Sequence, residues 1–171
     1  MSSLRRLVAL AVGSTIAIAC VIDAGPGRIA ADVPDRAAFT GPGKVLVARC
    51  GSLDCHGDTY RNYRLFGYGG ARLDATHRPD APDTTASELA LDYDATVGIE
   101  PERTRAIAEG QAAPETSTLV RKARGAEHHK GGARLIAGTA ADTCLVAWLT
   151  RKPNDEACTT ALRELDAARG L

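Results

Sequence analysis

The stretch Arg49-Cys50-Gly51-Ser52-Leu53-Asp54-Cys55-His56-Gly57 constrains this chain more than any other. Two thiols precede a histidine that directly follows the second of them. The pattern suits covalent attachment of haem c, in which two thioethers fix the porphyrin edges and the imidazole reaches the iron. The common spacing is C-x-x-C-H; here it is C-x4-C-H, with a larger loop between the thiols. Two other uses of the same residues stay open. Cys50 and Cys55 are close enough in sequence to form a small disulfide loop with His56 as a bystander. Zinc is the third option, held by Cys50, Cys55, His56 and a distal His128 or His129. Thiols outside the cytoplasm tend to oxidise, however, and ligation by adjacent Cys and His is awkward.

The N-terminus bears on which compartment applies. Arg5 and Arg6 precede an apolar run of small residues from Leu7 to Ala19, too short for a stable membrane anchor. The run ends Ala17-Ile18-Ala19-Cys20, which is similar to a bacterial lipobox with Ala17 where Leu is usual. The expectation is a leader over residues 1–20, lipidation of Cys20 and a Gly- and Pro-containing tether over 21–38. Cleavage after Ala19 or near Ala24 without a lipid is the alternative. Either route carries the chain to the cell envelope, on the periplasmic side, where haem c is attached and disulfides persist.

Lys+Arg and Asp+Glu both total 21 in 171 residues, so no basic excess points to nucleic acid. Aromatic residues make up only 4%. A core this lean gains from a covalent staple or a bound cofactor.

The remaining chain reads as one mainly α domain with long loops, over residues 39–171. Thr40-Gly41-Pro42-Gly43 is a start signal for a helix over Lys44–Cys50, which would lead its last turn into the cysteine site. Residues 59–70 suggest an extended loop or short hairpin, and 72–83 a Pro-rich loop. Thr85-Ala86-Ser87-Glu88 is a capping box opening a helix to Val97, with Ala86, Leu89, Ala90, Tyr93 and Val97 at helical spacing. A short helix over 101–109 follows. Pro114 suits the first turn of another, with Leu119, Val120 and Ala123 inward and Gly125 as its stop. Asp142 can cap a helix carrying Cys144, Leu145, Trp148 and Leu149 on one face. After Pro153, Asn154 can cap a last helix with Cys158, Ala161, Leu162 and Leu165 inward.

Met1 is the sole methionine, so an iron here has no methionine ligand available in the domain. A second axial ligand is then most simply His129 or His128, in the Gly-bounded turn Glu127–Gly132, with His77 third. Bis-histidine ligation implies a lower potential than His/Met ligation. Arg61 and Arg64, with Tyr60 and Tyr63, follow the proximal histidine and are suited to pairing with propionates. An ordinary exposed segment is the alternative. Cys144 and Cys158 fall on successive helices and are expected to form a disulfide, contributing roughly 3 kcal/mol. Asp92, Asp94, Glu100 and Glu102 read as a solvated helix end and its loop rather than a catalytic pair.

The order of these parts resembles a known family. An export leader precedes a short helix, Cys55-His56-Gly57, Arg64-Leu65-Phe66-Gly67-Tyr68-Gly69, a Pro114–Lys122 segment, a His129-Lys130-Gly131-Gly132 turn and a Cys144–Leu149 helix. Across roughly residues 39–158 this is similar to the cytochrome c-like domains of exported lipoproteins in myxobacteria and planctomycetes. The resemblance implies a helical haem-binding fold in which N- and C-terminal helices pack together while a central helix and loops close the pocket. It implies thioether attachment at Cys50 and Cys55, His56 as proximal iron ligand, and single-electron transfer to a redox partner rather than turnover of a substrate. Most members carry C-x-x-C-H, and Ser52 stands where the first cysteine of that motif would be. A relative that kept the fold but replaced haem by a Cys50–Cys55 disulfide, beside Cys144–Cys158, is the alternative: a haem-free binding or structural module of the envelope.

Overall fold

The computed structural model describes residues 34–81 and 83–169. The leader and Cys20 therefore lie outside the described residues. Six α-helices are present among the described residues: α1 (Thr40–Cys50), α2 (Ala86–Val97), α3 (Pro101–Ala108), α4 (Thr118–Ala123), α5 (Ala140–Leu149) and α6 (Asp155–Arg169). No strand is found among the described residues, only an isolated bridge between Arg78 and Ala81. The fold is mainly helical, as the patterning predicts. Residues 51–85 make a long loop, without the hairpin that was one of the two expectations for 59–70.

Helix α1 starts four residues before the predicted Lys44 because its glycines are packing sites rather than breaks. A Cβ on Gly41 would lie 2.9 Å from Cys158 Cβ, and one on Gly43 would lie 2.7 Å from Leu89 and Phe39 side-chain atoms. Missing side chains thus let α1 approach α6 on one side and α2 on the other. Pro42 is tolerated because it sits in the first turn, where its missing N–H has no intrahelical partner to lose.

The aromatic centre forms where these helices meet. Phe39 lies 4.8 Å from Trp148 and 5.5 Å from Tyr93 between ring centroids, the latter pair edge to face. Leu46, Ile107, Val120, Leu135, Leu145 and Leu149 complete a core of almost fully buried side chains. Each contributes roughly 1.5–3 kcal/mol by leaving water. Residues 34–38, assigned above to the tether, belong to the packed domain. Tyr93 Oη donates to Pro34 O (2.8 Å) and Trp148 Nε1 to Asp35 O (2.9 Å).

Helices α5 and α6 form a hairpin against α1, and Cys144 is bonded to Cys158 with their Cα atoms 4.8 Å apart. Asn154 caps α6 as expected, accepting the Ala157 N–H at 2.9 Å. Asp142 does not cap α5. Thr139 occupies the cap position, and Asp142, three residues on, takes a two-pronged ion pair from Arg124 (2.7 and 2.9 Å) and the Gly138 N–H (2.9 Å). Pro114 opens a separate single turn, Pro114–Thr116, not α4. The extended backbone of Ser117 separates the two, and Ser117 Oγ accepts the Leu119 N–H. Glu100 also braces α4, accepting from both the N–H and the hydroxyl of Thr118.

Helix α2 corrects the acid assignment. Its capping box is present as predicted. Its buried face, however, carries Glu88, Leu89, Asp92, Tyr93 and Thr96, while Ala86 and Ala90 are exposed. The polar residues of that face meet the 51–85 loop. Glu88 receives Arg72 Nε (2.8 Å) and Nη2 (3.0 Å), with both side chains buried. Asp92 is fully buried and accepts the Phe66 N–H at 2.8 Å. It is not a solvated acid.

Candidate functional site

The last residue of α1 is Cys50, and the chain turns sharply there. His56 N–H donates to Cys50 O (2.9 Å), while Cys55 and Gly57 N–H both donate to Ser52 O (2.9 and 3.0 Å). The returning loop closes over this turn, with Leu65 N–H on His56 O and Ala71 N–H on Gly57 O, both at 2.7 Å. Three glycines make the closure possible: a Cβ on Gly57 or Gly70 would lie only 1.9 or 2.0 Å from Gly51 O.

Both thiols are free; Cys50 is buried and Cys55 half-buried, so the Cys50–Cys55 bridge is not formed in this structure. Burial pushes the Cys50 thiol up to about 11, partly offset by Arg134. His56 is half-buried. Its Nδ1 lies 2.9 Å from Tyr63 O, and because a carbonyl only accepts, Nδ1 carries the proton. That bond fixes the tautomer and leaves the Nε2 lone pair for another use. Burial lowers the His56 pKa; the Tyr63 carbonyl opposes this, while His129 and Arg61 add to it. The imidazole is therefore held towards its neutral, ligating form.

His129 faces it. The two rings are stacked, 14° from parallel with centroids 5.8 Å apart. His129 Nδ1 is also directed at a carbonyl, Gly132 O, at 3.3 Å. A cavity of about 280 Å³ is lined by both histidines and by Cys55, Arg61, Lys130 and Arg134. The structure thus brings together Cys55, His56, Arg61 and His129, with Cys50 at the helix end beside them.

Other expected members stand elsewhere. His128 is exposed, and it is its carbonyl that is engaged, by Lys122 Nζ. His77 sits in the Pro-rich loop 3.9 Å from Asp74. Arg61 binds the carbonyls of Cys55 (3.0 Å) and Asp54 (3.1 Å), bracing the motif loop. Arg64 binds Thr59 O and is not among the cavity residues. Tyr60 is almost wholly exposed. Among the described residues no cluster of three or more His, Cys, Asp or Glu is arranged to hold a metal, so the zinc tetrad is not assembled. Sequence reasoning does not single out Lys130 and Arg134 as cavity residues; their nearness to His129 is the signal the sequence holds. A second cavity, of about 390 Å³ between α1, α6 and the loop, is lined by Lys44, Tyr68 and Asp166 and by no histidine or cysteine.

Both Nδ1 atoms face carbonyls, and neither Cys50 nor Cys55 is bridged. Among the described residues no helix is long and apolar enough to cross a membrane. No family model matches the chain, and no curated protein or solved structure matches it.

Proposed function

We propose that the chain is an exported, lipid-anchored monohaem c-type electron-transfer protein, anchored at Cys20. The facing, nearly parallel rings of His56 and His129, residues 73 positions apart in sequence, carry this reading. Haem c, attached through Cys50 and Cys55, would supply a one-electron couple. His56 and His129 would hold its iron, and Arg61, Lys130 and Arg134 would offset propionate charge. The protein's own contribution is to fix the His56 tautomer and seat the thiols. The Cys144–Cys158 bond supports an oxidising compartment. At about 280 Å³ the cavity lies at the lower edge of the ~300–1,000 Å³ range of small-molecule sites. A porphyrin therefore requires the His129 turn to stand further from His56. Gly125 and Gly132, both at positive φ, flank that turn and give its backbone the freedom to do so.

The test is expression alongside haem-attachment machinery. A covalent adduct with the mass of polypeptide plus haem and a sharp reduced α-band is expected, with the covalent link lost in Cys50→Ser/Cys55→Ser. A colourless product whose mass equals the polypeptide minus four hydrogens would sink the reading. It would favour the haem-free, doubly disulfide-stapled module instead. Loss of the bis-histidine spectrum with retention of haem in His129→Ala identifies the distal ligand.

A further inference from the structure

The cavity beside His56 and His129 is strongly one-signed. Arg61, Lys130 and Arg134 line it against a single carboxylate, Asp54. Among the described residues none of these three cations forms an ion pair, whereas Arg72, Arg105, Arg121, Lys122 and Arg124 each have an acidic partner. Their neighbours feel the excess. Arg61 and His129 both act against a charge on the His56 ring, and Arg134 favours the thiolate at Cys50, although burial outweighs it there.

The cations are also held ready. Arg61 spends Nε on Cys55 O (3.0 Å) and Nη2 on Asp54 O (3.1 Å), which fixes the guanidinium and leaves Nη1 to donate. Arg134 is rooted by its own N–H and that of buried Leu135, both on Ala123 O (2.8 and 2.9 Å), while its guanidinium has no hydrogen bond among the described residues. Lys130 lies in the turn closed by Gly132 N–H on His129 O (2.9 Å).

An excess of two positive charges around about 280 Å³ calls for a dianion. The charges come from two facing segments, so a ligand with its charge on one tetrahedral centre can meet both at once. A dicarboxylate divides its charge between two ends. Arg134 offers a planar fork and Lys130 a point charge, the two ways in which proteins hold phosphoryl oxygens. At ~30 Å³ of liquid per water, the volume admits a phosphate with a small organic substituent.

We infer that this cavity is a binding site for a phosphoryl dianion, inorganic phosphate or a small phosphate monoester, held by Arg61, Lys130 and Arg134. The site uses no iron and neither thiol. It therefore does not rest on the haem reading, and it belongs to the haem-free chain. Binding is non-covalent and no group is transferred.

The experiment is calorimetric titration of the haem-free full chain at pH 8 and low salt, with inorganic phosphate and with glycerol phosphate. One saturable site is expected, weakening as salt screens the cations. Which ligand binds more tightly tells the free ion from the ester. Arg134→Ala and Lys130→Ala should each weaken binding roughly tenfold, the loss of one charge-assisted contact. Arg103→Ala removes an exposed charge of α3 outside the cavity and should leave affinity unchanged. Absence of saturation at millimolar ligand overturns the proposal, and so does equal weakening by Arg103→Ala. Succinate binding as tightly as phosphate overturns the phosphoryl assignment. A second measurement needs no variant. Phosphate should shift the ring proton resonances of His56 and His129 with the affinity found by calorimetry, and unmoved rings overturn the proposal too. Haem attachment is read by mass and colour and phosphate by heat and resonance shifts, so either reading can fail without the other.

Discussion

Two regions of this molecule are tied down by different chemistry. The α5–α6 hairpin is closed by the Cys144–Cys158 bond over a loop in which both helices bury apolar faces. The 51–85 loop has no helix and no bonded cysteine, and is held to α2 by three buried polar side chains: Glu88 through Arg72, Asp92 through Phe66 N–H, and Thr96 through the Tyr63 hydroxyl. A bridge between cysteines restricts the unfolded chain and is indifferent to moderate pH. A polar anchor depends on protonation, and its loss leaves a buried group unsatisfied. One wall of the site belongs to the second region, through Asp54, Cys55, His56 and Arg61, and the other is the His129–Arg134 segment. The hairpin is therefore sensitive to reductant and the site to acid and base.

The sharpest way to break this contrast is Arg72→Ala. It strands the Glu88 carboxylate in the interior and should cost about 3–5 kcal/mol in urea unfolding at pH 7. Burial alone would raise the Glu88 pKa, but hydrogen bonds from Arg72, Thr85 N–H and Leu73 N–H outweigh it and hold it at about 2. A depressed carboxylate stabilises the fold above its unfolded value near ~4.3, and that contribution disappears as pH falls towards 2. The acid limb of the stability curve should flatten in Arg72→Ala; an unaltered limb would place the acid sensitivity elsewhere.

Next in size is Cys144→Ser/Cys158→Ser, expected to lose about 3 kcal/mol and to lose it equally at pH 5 and pH 8. A pH-dependent loss would mean that hairpin and loop unfold as one coupled unit. Asp92→Asn acts in the opposite direction. With its pKa raised to about 7, Asp92 binds its proton more tightly folded than unfolded. Stability of the unsubstituted chain therefore falls as pH rises from ~4 towards 7 and levels off above. The variant should gain on the order of 2 kcal/mol at pH 8 and almost nothing at pH 4. The smallest effect is Thr85→Ala, which removes the hydroxyl that accepts the Glu88 N–H and should cost about 1 kcal/mol by thermal melting. A loss several times larger would show that the cap also sets the Glu88–Arg72 geometry.

Which parts were legible in the sequence follows the same division. Local signals were enough where the chain makes its own bonds: the Thr85–Glu88 box, the Asn154 cap and the inward cysteines of α5 and α6 stand where the spacing puts them. They failed where a distant segment sets the rule. Gly41 and Gly43 look like punctuation, yet sit inside α1 because α6 and α2 leave no room for a Cβ. Asp92 looks solvated beside Asp94, yet faces Phe66, which lies 26 residues away. Asp142 looks like a cap, but Arg124 claims it from just past the end of α4. At the site, His129 was a candidate ligand and does face His56. The separation of His128 from that role, by one residue in a turn, depends on the direction of a carbonyl that no composition encodes.

Trp148 is the chain's single tryptophan, and it is enclosed by Phe39 and Tyr93 in the helical frame, not in the site loop. The molecule thus carries its own optical probe, and it reports on one region alone. Its emission should stay blue-shifted through any acid-driven loosening of residues 51–85. It should redden only when α1, α2 and α5 part. Compared with a probe placed near His56, this one fluorophore distinguishes opening of the site from unfolding of the domain.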